Sequence, residues 1–396
     1  MIRMYAFRSS IASIRKPTLI LEKCYSEMGL RGLHVVSSMK AAARSPRVIA
    51  KTRALNPGSN VVKVKNTYDT QQCLPPMALL NSARKSGALS ITPEKALGFL
   101  RTYHERTTVP GAGWEQQLCS DHGISPSTLA LLAAIVGKCE GKGQKLFGKT
   151  LMHAASAMGD RSALFSIVST ALRHGKLHYT EIEASLQRVA LLAKNANDPQ
   201  AMTLLGQVLY AQRGEKEALR WLQKATCSST GTLNFDGAGE ALITEGRILL
   251  SWKDIGGAIK AFKRAALELD DPLAYFYLSQ LEISGSGTQE VYLLKAAISG
   301  VVEACHNLGV LELAKTERKS KRPTSIKDYG MAKEWFEVAA VDGFGLSMLN
   351  LASMYNAIGE RKKGLKWLNK AEQIESVSEQ ARSMKSQWSM KNQTTN

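Results

Sequence analysis

The stretch GRILLSWKDIGGAIKAFKRA, residues 246–265, decides how the chain folds. Gly246 is followed after twelve positions by Ala258, after four more by Phe262 and after three more by Ala265. Two helices joined by a short turn explain this spacing, because a small residue on the first helix lets the second helix cross closely and Phe262 fills the gap. The final Ala265 leaves room for the next pair of helices.

These offsets recur along the chain and therefore define a repeat. A single helix pair cannot bury its apolar face, whereas several stacked pairs bury a continuous core. The further copies are Leu205, Gly206, Ala218, Leu222 and Ala225; the degenerate set Leu278, Ser279, Leu293 and Ala296; Leu308, Gly309, Ala332, Phe336 and Ala339, with the polar loop 315–328 inserted; and Ala352, Gly364, Leu368 and Ala371.

The fold class follows from the repeat and from the absence of strand patterns. From about residue 151 to 373 one helical pattern follows another, with Gly or Asp-Pro at the joints and no alternation of apolar and polar residues. We therefore predict an all-α chain that forms a right-handed α-solenoid behind a disordered N-terminal presequence. The alternative is a helical bundle without repeats in which the Ala and Gly spacing is coincidental.

The repeat resembles the tetratricopeptide (TPR) family and, more closely, its Sel1-like branch. Asp-Pro at 198–199 and 271–272 precedes a first helix as in that family, while Gln289 departs from it and the copy with Phe262 has no Trp. The resemblance implies a non-catalytic scaffold that binds a protein partner. The matching residues are Ala201, Leu205, Gly206, Ala218, Trp221, Lys224 and Ala225; Ala304, Leu308, Gly309, Ala332, Trp335, Ala339 and Ala340; and Leu351, Tyr355, Trp367, Lys370 and Ala371.

Four regions are predicted along the chain. Residues 1–72 form a presequence and a disordered basic segment, 73–150 a helical N-terminal region, 151–373 the repeats and 374–396 a polar tail. Within the second region, Thr92-Pro93 and Ser125-Pro126 each read as a helix start, with a capping hydroxyl followed by proline in the first turn.

Positive charge is concentrated at the N-terminus. The chain carries a formal charge of +18, and residues 1–65 hold 13 Lys or Arg against two Glu. The first 21 residues contain no acid, and Arg8 and Arg15 interrupt any apolar core of a secretory signal. This composition is typical of a mitochondrial transit peptide, so we expect a matrix protein. The alternative is a disordered basic tail.

Neither a membrane span nor a metal site is predicted. The longest apolar run, 129–136, has eight residues against the roughly 20 that a spanning helix needs, and reads as a buried helix. The six cysteines show no C-x-x-C spacing, so we expect free, buried thiols in a reducing compartment and no metal or other cofactor.

One motif suggests nucleotide chemistry. Gly143, Gly148, Lys149 and Thr150 match the phosphate-binding pattern G-x-x-x-x-G-K-[ST], which requires a strand ending at its first glycine. The preceding apolar run stops at Val136, and no strand–helix alternation follows. We therefore expect no enzyme, no catalytic residues and no bound nucleotide, and a P-loop enzyme remains the third alternative.

The predicted function is that of a binding scaffold. In the resembling families the residue after the small one often lines a groove for the partner, which here gives Gln207, Arg247, Gln280, Val310 and Ser353. His306, Tyr275 and Tyr277 are expected nearby. The whole layout resembles fungal mitochondrial respiratory-chain assembly factors. That resemblance implies a chaperone that assists assembly or membrane insertion of a cytochrome oxidase subunit, peripheral to the inner membrane and its insertion machinery.

The main alternative is an RNA-binding or ribosome-associated translation factor. Such a protein would need a continuous basic stripe along the groove. The most basic cluster beyond the N-terminus lies instead in one predicted loop, and consists of Lys315, Arg318, Lys319, Lys321, Arg322 and Lys327.

Overall fold

The computed structural model describes residues 68–107, 113–227, 233–318 and 323–393, and within these ranges every regular element is helical. The prediction of an all-α chain of helix pairs is confirmed. The described residues form two compact units, which divide between Gln212 and Arg213. Of the predicted presequence and disordered basic segment, 1–72, residues 1–67 lie outside the described residues. Its last residues, 70–72, are not disordered but belong to a short helix, Thr70–Cys73, which is anchored by the buried Cys73.

The N-terminal unit, up to Gln212, contains α1 to α9. Buried aromatic and aliphatic residues of α3, α5 and α6 make its core, including Phe99, Tyr103 and Leu132. The predicted apolar run 129–136 lies in α5, where six of its eight residues are buried, as expected of a core helix. The helices are α1 (Thr70–Cys73), α2 (Met77–Lys85), α3 (Pro93–Arg106), α4 (Trp114–Asp121), α5 (Pro126–Gly137), α6 (Lys142–Ala157), α7 (Arg161–Arg173), α8 (Thr180–Asn195) and α9 (Pro199–Ala211).

Helix starts in this unit follow the sequence signals. The hydroxyl of Thr92 accepts a hydrogen bond from the backbone N–H of Lys95, and that of Ser125 from Thr128. Asp198 accepts from the backbone N–H groups at the start of α9. The predicted boundary between residues 150 and 151, in contrast, falls inside α6, because the glycines that read as breaks lie at helix contacts.

The C-terminal unit, from Arg213, contains four successive helix pairs, preceded by α10 and followed by α19. In each pair the second helix packs on the first and then on the first helix of the next pair. The elements are α10 (Glu215–Thr226), α11 (Ala238–Ser251), α12 (Ile255–Leu269), α13 (Pro272–Leu281), α14 (Gly287–Ile298), α15 (Val302–Glu317), a 3₁₀ turn (Ile326–Tyr329), α16 (Met331–Val341), α17 (Gly345–Ala357), α18 (Arg361–Ala371) and α19 (Ser378–Gln393).

The small residues of the repeat permit close helix approach. A Cβ atom added at Gly309 would lie 2.7 Å from Cδ1 of Phe336, and one at Gly246 would meet the ring of Phe262. In the last pair two small residues meet, since a Cβ at Gly364 of the second helix would lie 2.9 Å from the carbonyl oxygen of Ala352. The predicted interlock of a small and a large residue is therefore present in two pairs, and the last pair shows a close approach between small residues instead.

The other residues of the repeat signature are buried or half-buried, as close packing of the helices requires. Leu205, Trp221, Trp335 and Trp367 are half-buried. The remaining signature residues are buried: Ala201, Gly206, Ala218, Ala225, Ala258, Ala265, Leu308, Ala332, Ala339, Tyr355 and Ala371.

Two polar segments contain more helix than the sequence analysis predicted. The predicted tail includes α19, whose Ala381 and Trp388 are buried against the last pair. Their spacing is helical, but it is sparse within a polar sequence. The predicted loop 315–328 begins inside α15, where Lys315 forms ion pairs with Glu290 at 3.0 Å and Glu312 at 2.7 Å.

Cys24 lies outside the described residues, and the five described cysteines agree with the prediction except at one position. Cys73, Cys119, Cys139 and Cys305 are free and buried, and burial raises their pKa values, to about 11 for Cys119. Cys227 is exposed. In the part of the chain that the structure describes, no helix has the length and apolar character needed to cross a bilayer.

Candidate binding surface

The nucleotide-like motif lies entirely within α6. A Cβ at Gly143 would meet Tyr68 and Cys73, and one at Gly148 would lie 2.8 Å from the backbone nitrogen of Gly137 in α5. Lys149 and Thr150 follow on the same helix, and the Thr150 hydroxyl donates to the carbonyl of Leu146 at 3.2 Å. These glycines therefore serve helix packing, and the strand that a phosphate-binding loop requires is replaced by α5.

Across residues 68–107, 113–227, 233–318 and 323–393, no group of three or more His, Cys, Asp or Glu side chains is placed to hold a metal ion. The predicted groove positions lie on the repeats, so the candidate site is a surface of the repeats.

The predicted groove positions share one environment. Arg247, Gln280, Val310 and Ser353, each one residue after the small position of a first helix, are half-buried, and Gln207 is half-buried in the N-terminal unit. Because all four positions of the C-terminal unit are equivalent in the repeat, they mark one side of its first helices.

Helical periodicity extends this side to a wider surface. Residues three and seven positions before each groove residue lie on the same side of the helix. All are exposed or half-buried except Thr244, which is buried. We call this surface the first-helix face; it consists of Glu240, Thr244 and Arg247 of α11, Leu273, Tyr277 and Gln280 of α13, Glu303, Asn307 and Val310 of α15, and Leu346, Asn350 and Ser353 of α17.

The first-helix face is polar with little positive charge. Arg247 is its single cation, two Glu are present, and most other polar members are amides or hydroxyls. Some are held by the protein: Ser353 Oγ donates to the carbonyl of Leu349 at 3.0 Å, and Gln280 Nε2 donates to Ser279 Oγ at 3.3 Å. Asn307 and Asn350 were not predicted. They lie three positions before Val310 and Ser353, and this helical spacing is the signal that identifies them.

Of the two predicted tyrosines, only Tyr277 reaches this face. Its ring stacks on Phe262 with centroids 4.9 Å apart, which fixes its orientation. Tyr275 is buried; its hydroxyl donates to Asp270 at 2.9 Å and accepts from Lys295 at 3.0 Å. The two side chains diverge because they are two positions apart on one helix.

His306 is buried as well, contrary to the prediction that it lines the groove. Its Nδ1 lies 2.8 Å from Ser347 Oγ, and its ring lies 5.5 Å from that of Phe336 and 4.9 Å from that of Phe344. Burial lowers the pKa of His306 to about 4, so the ring is neutral at physiological pH. His306 is buried because it lies three positions before the small Gly309, on the side of α15 that faces the next helix pair.

Known structures include helical-repeat proteins similar to this chain. A Sel1 repeat protein from Oxalobacter formigenes matches with 19% identity and a TM-score of 0.34, over 74% of this chain and 93% of that one. The antigen c5321, described as displaying an SLR fold and present in uropathogenic Escherichia coli strains, matches with 16% identity and a TM-score of 0.42, over 90% of this chain and 71% of that one. No protein-family model and no curated protein matches.

The repeat within this chain decides its fold, since the small-to-large interlock and the order of helix pairs are those that the Sel1-like pattern predicts. The fold is a helical repeat of stacked pairs, and its pattern resembles that of Sel1-like repeats. In the pairs of the C-terminal unit, the first-helix face points away from the second helix of the same pair, because the small residue that contacts that helix lies on the other side.

Proposed function

We propose that this protein is a mitochondrial scaffold whose first-helix face binds a protein client, and that it assists assembly or membrane insertion of a respiratory-chain subunit. The composition of that face carries the proposal. Amide and hydroxyl side chains with Tyr277 and three aliphatic residues suit a peptide, which is recognised by polar contacts around a few apolar anchors.

The same composition argues against RNA as the ligand of this face. RNA binding draws on several Lys or Arg contacts to phosphates, and Arg247 alone supplies one here. Two Glu on the face would repel the phosphates. A translation factor that reads RNA along its first helices is therefore not supported.

The mitochondrial part of the proposal rests on the N-terminal sequence, with its net charge of +11 over residues 1–65. Residues 1–65 fused to a fluorescent protein should enter isolated mitochondria and reach a protease-protected compartment. Dissipating the membrane potential should stop import. A fusion that stays outside, or that enters without a potential, contradicts this part.

The client is best sought by crosslinking in intact mitochondria followed by affinity purification, with and without RNase. We expect one or a few membrane-complex subunits, retained after RNase. The variant Gln280→Lys/Asn307→Lys/Asn350→Lys should reduce their recovery at least tenfold, because it places three charges on the first-helix face.

The matched control adds the same three charges elsewhere. Gln116, Gln212 and Asn369 are exposed and lie outside the face, so their exchange for Lys should leave recovery unchanged. Equal loss in both variants, or loss of all partners on RNase treatment, would overturn the proposed client binding.

A further inference from the structure

The second helices of the C-terminal unit share a surface that client binding does not use. In each of them a large core residue is buried at the same repeat position: Leu222 in α10, Phe262 in α12, Leu293 in α14, Phe336 in α16 and Leu368 in α18. The residues two positions before, two after and five after this core residue lie on the opposite side of the helix. Where the helix ends earlier, the last of them lies just beyond its C-terminus. We call them the second-helix face: Arg220, Lys224, Cys227; Lys260, Arg264, Leu267; Val291, Lys295, Ile298; Glu334, Val338, Val341; Lys366, Lys370 and Gln373.

This face combines positive charge with exposed aliphatic side chains. It holds seven Lys or Arg, one Glu and five aliphatic residues. Leu267, Ile298 and Val341 occupy the same repeat position in three successive pairs and are 72%, 81% and 79% exposed. Val291 and Val338 are about half exposed. Single exposed aliphatic residues are common on protein surfaces, but a recurrence at one repeat position indicates a contact surface.

The two kinds of residue are arranged in order along the repeats. The aliphatic members lie mainly on α14 and α16, with Leu267 at the end of α12. The cations lie mainly on the flanking helices, with two each on α10, α12 and α18 and one on α14. An apolar centre is thus bordered by positive charge on both sides along the chain.

Several of these cations are held close to the protein surface. Lys224 lies 5.4 Å from the ring centroid of Trp221, and Lys370 lies 4.5 Å from that of Trp367. Arg264 donates to the carbonyl oxygen of Thr226 at 3.1 Å, at the end of α10, and its Nε lies 3.3 Å from Glu268, which partly offsets its charge. The charges of Lys224 and Lys370 therefore stay on the helices that flank the aliphatic centre, where they can meet a flat anionic surface.

We propose that the second-helix face docks on an anionic phospholipid bilayer. The aliphatic side chains would enter the boundary between headgroups and acyl chains, and the flanking cations would meet lipid phosphates. Charge complementarity favours this occupant, with one Glu against seven cations. Single-stranded RNA fits less well, because it stacks its bases on aromatic rings and the exposed members here are aliphatic.

Flotation of the full chain with phosphatidylcholine vesicles, with and without cardiolipin, tests the proposal. The wild type should bind the anionic vesicles and bind less as salt rises. The variant Leu267→Gln/Ile298→Gln/Val341→Gln should lower binding at least tenfold. Arg220→Gln/Lys260→Gln/Lys366→Gln should lower it about fivefold per cation removed. All six positions are exposed, and circular dichroism would confirm that each variant keeps its helices.

The control Leu191→Gln/Ile283→Gln exchanges residues that are 55% and 80% exposed and lie outside the face. It should bind vesicles like the wild type. The basic N-terminal segment is present in every variant, so a difference in binding between variants comes from the substituted residues. Wild-type binding by the face variants, equal loss in the control, or equal binding to neutral vesicles would overturn the proposal. A gel shift with RNA that the charge variant alone abolishes, while its vesicle binding persists, would also overturn it.

Discussion

At the scale of single residues, glycines inside helices mark the contacts that organise the repeat. Glycine in a helix interior costs about 1 kcal/mol relative to alanine. Glycine is nevertheless required at Gly246 in α11 and at Gly309 in α15, because a side chain there would collide with an aromatic ring. Gly98 of α3 is different, since a Cβ at that position would meet nothing within 4 Å.

This contrast yields a prediction with an internal control. Gly309→Ala should lower the free energy of unfolding by about 1–3 kcal/mol, because the added methyl group forces Phe336 to move. Gly98→Ala should raise it by about 0.5–1 kcal/mol. Denaturant unfolding followed by circular dichroism would measure both, and shifts in the same direction would contradict the interlock.

His306 gives a prediction about pH. Its folded-state pKa of about 4 is below the ordinary value of about 6.5, so the unfolded chain binds more protons between these values. The free energy of unfolding should therefore fall as the pH is lowered from about 6.5 to about 4, by up to about 3 kcal/mol. Above pH 6.5 this contribution is complete.

The variant His306→Gln, which keeps a hydrogen-bonding group for Ser347, isolates this effect. Burial also lowers the pKa of His104, so some loss at low pH should persist in the variant. The measurement is the difference in unfolding free energy between pH 7 and pH 4.5, for wild type and variant. An equal difference in both proteins would contradict the assignment.

At the scale of helices, capping signals between neighbouring residues predicted where helices begin, whereas a few widely spaced apolar residues did not predict α19. Caps at Thr92, Ser125, Asp198 and Asp271 were readable because a cap involves residues two or three positions apart. Helix α19 was not predicted because its stability depends on a contact with another helix. Its Trp388 covers Gly364 of α18, which lies fourteen residues before the start of α19.

Removal of that ring should loosen the end of the repeat. Trp388→Ala should lower the free energy of unfolding by roughly 3 kcal/mol, since it leaves a cavity over α18. Trp252→Ala is the matched control: its ring is 43% exposed and its Nε1 donates to Glu215 at 2.6 Å, so we expect about 1 kcal/mol or less. Thermal unfolding of both variants would compare them, and equal losses would contradict the capping role of α19.

At the scale of the whole molecule, the sequence predicted the repeat register but not the division of the chain. The repeat copy at 201–225 was read as continuous with its neighbours, yet the two compact units divide at Gln212, inside it. No local signal marks this point, because Gly214 and the following acidic helix start look like any other turn. The surfaces were only partly predicted, since exposure depends on which neighbours cover each helix.

Stacked pairs also predict how a local defect spreads. Because each pair contacts mainly its neighbours, Gly309→Ala should speed amide hydrogen exchange in α15 and α16 and, less strongly, in α14 and α17. Helices α11 and α12 should keep wild-type exchange. Mass spectrometry of peptides from the C-terminal unit would resolve this gradient. A uniform increase would mean that the unit opens as a whole.

Within each pair the two faces point away from each other, and this has a kinetic consequence. A molecule that rests on a bilayer through its second helices presents its first helices to the surrounding compartment in one fixed orientation. Its search for a membrane-bound client then takes place in two dimensions instead of three. The molecule loses rotational freedom when it adsorbs to the bilayer, before the client arrives. Because this entropy loss does not recur on client binding, a weak contact on the first helices suffices for a productive encounter.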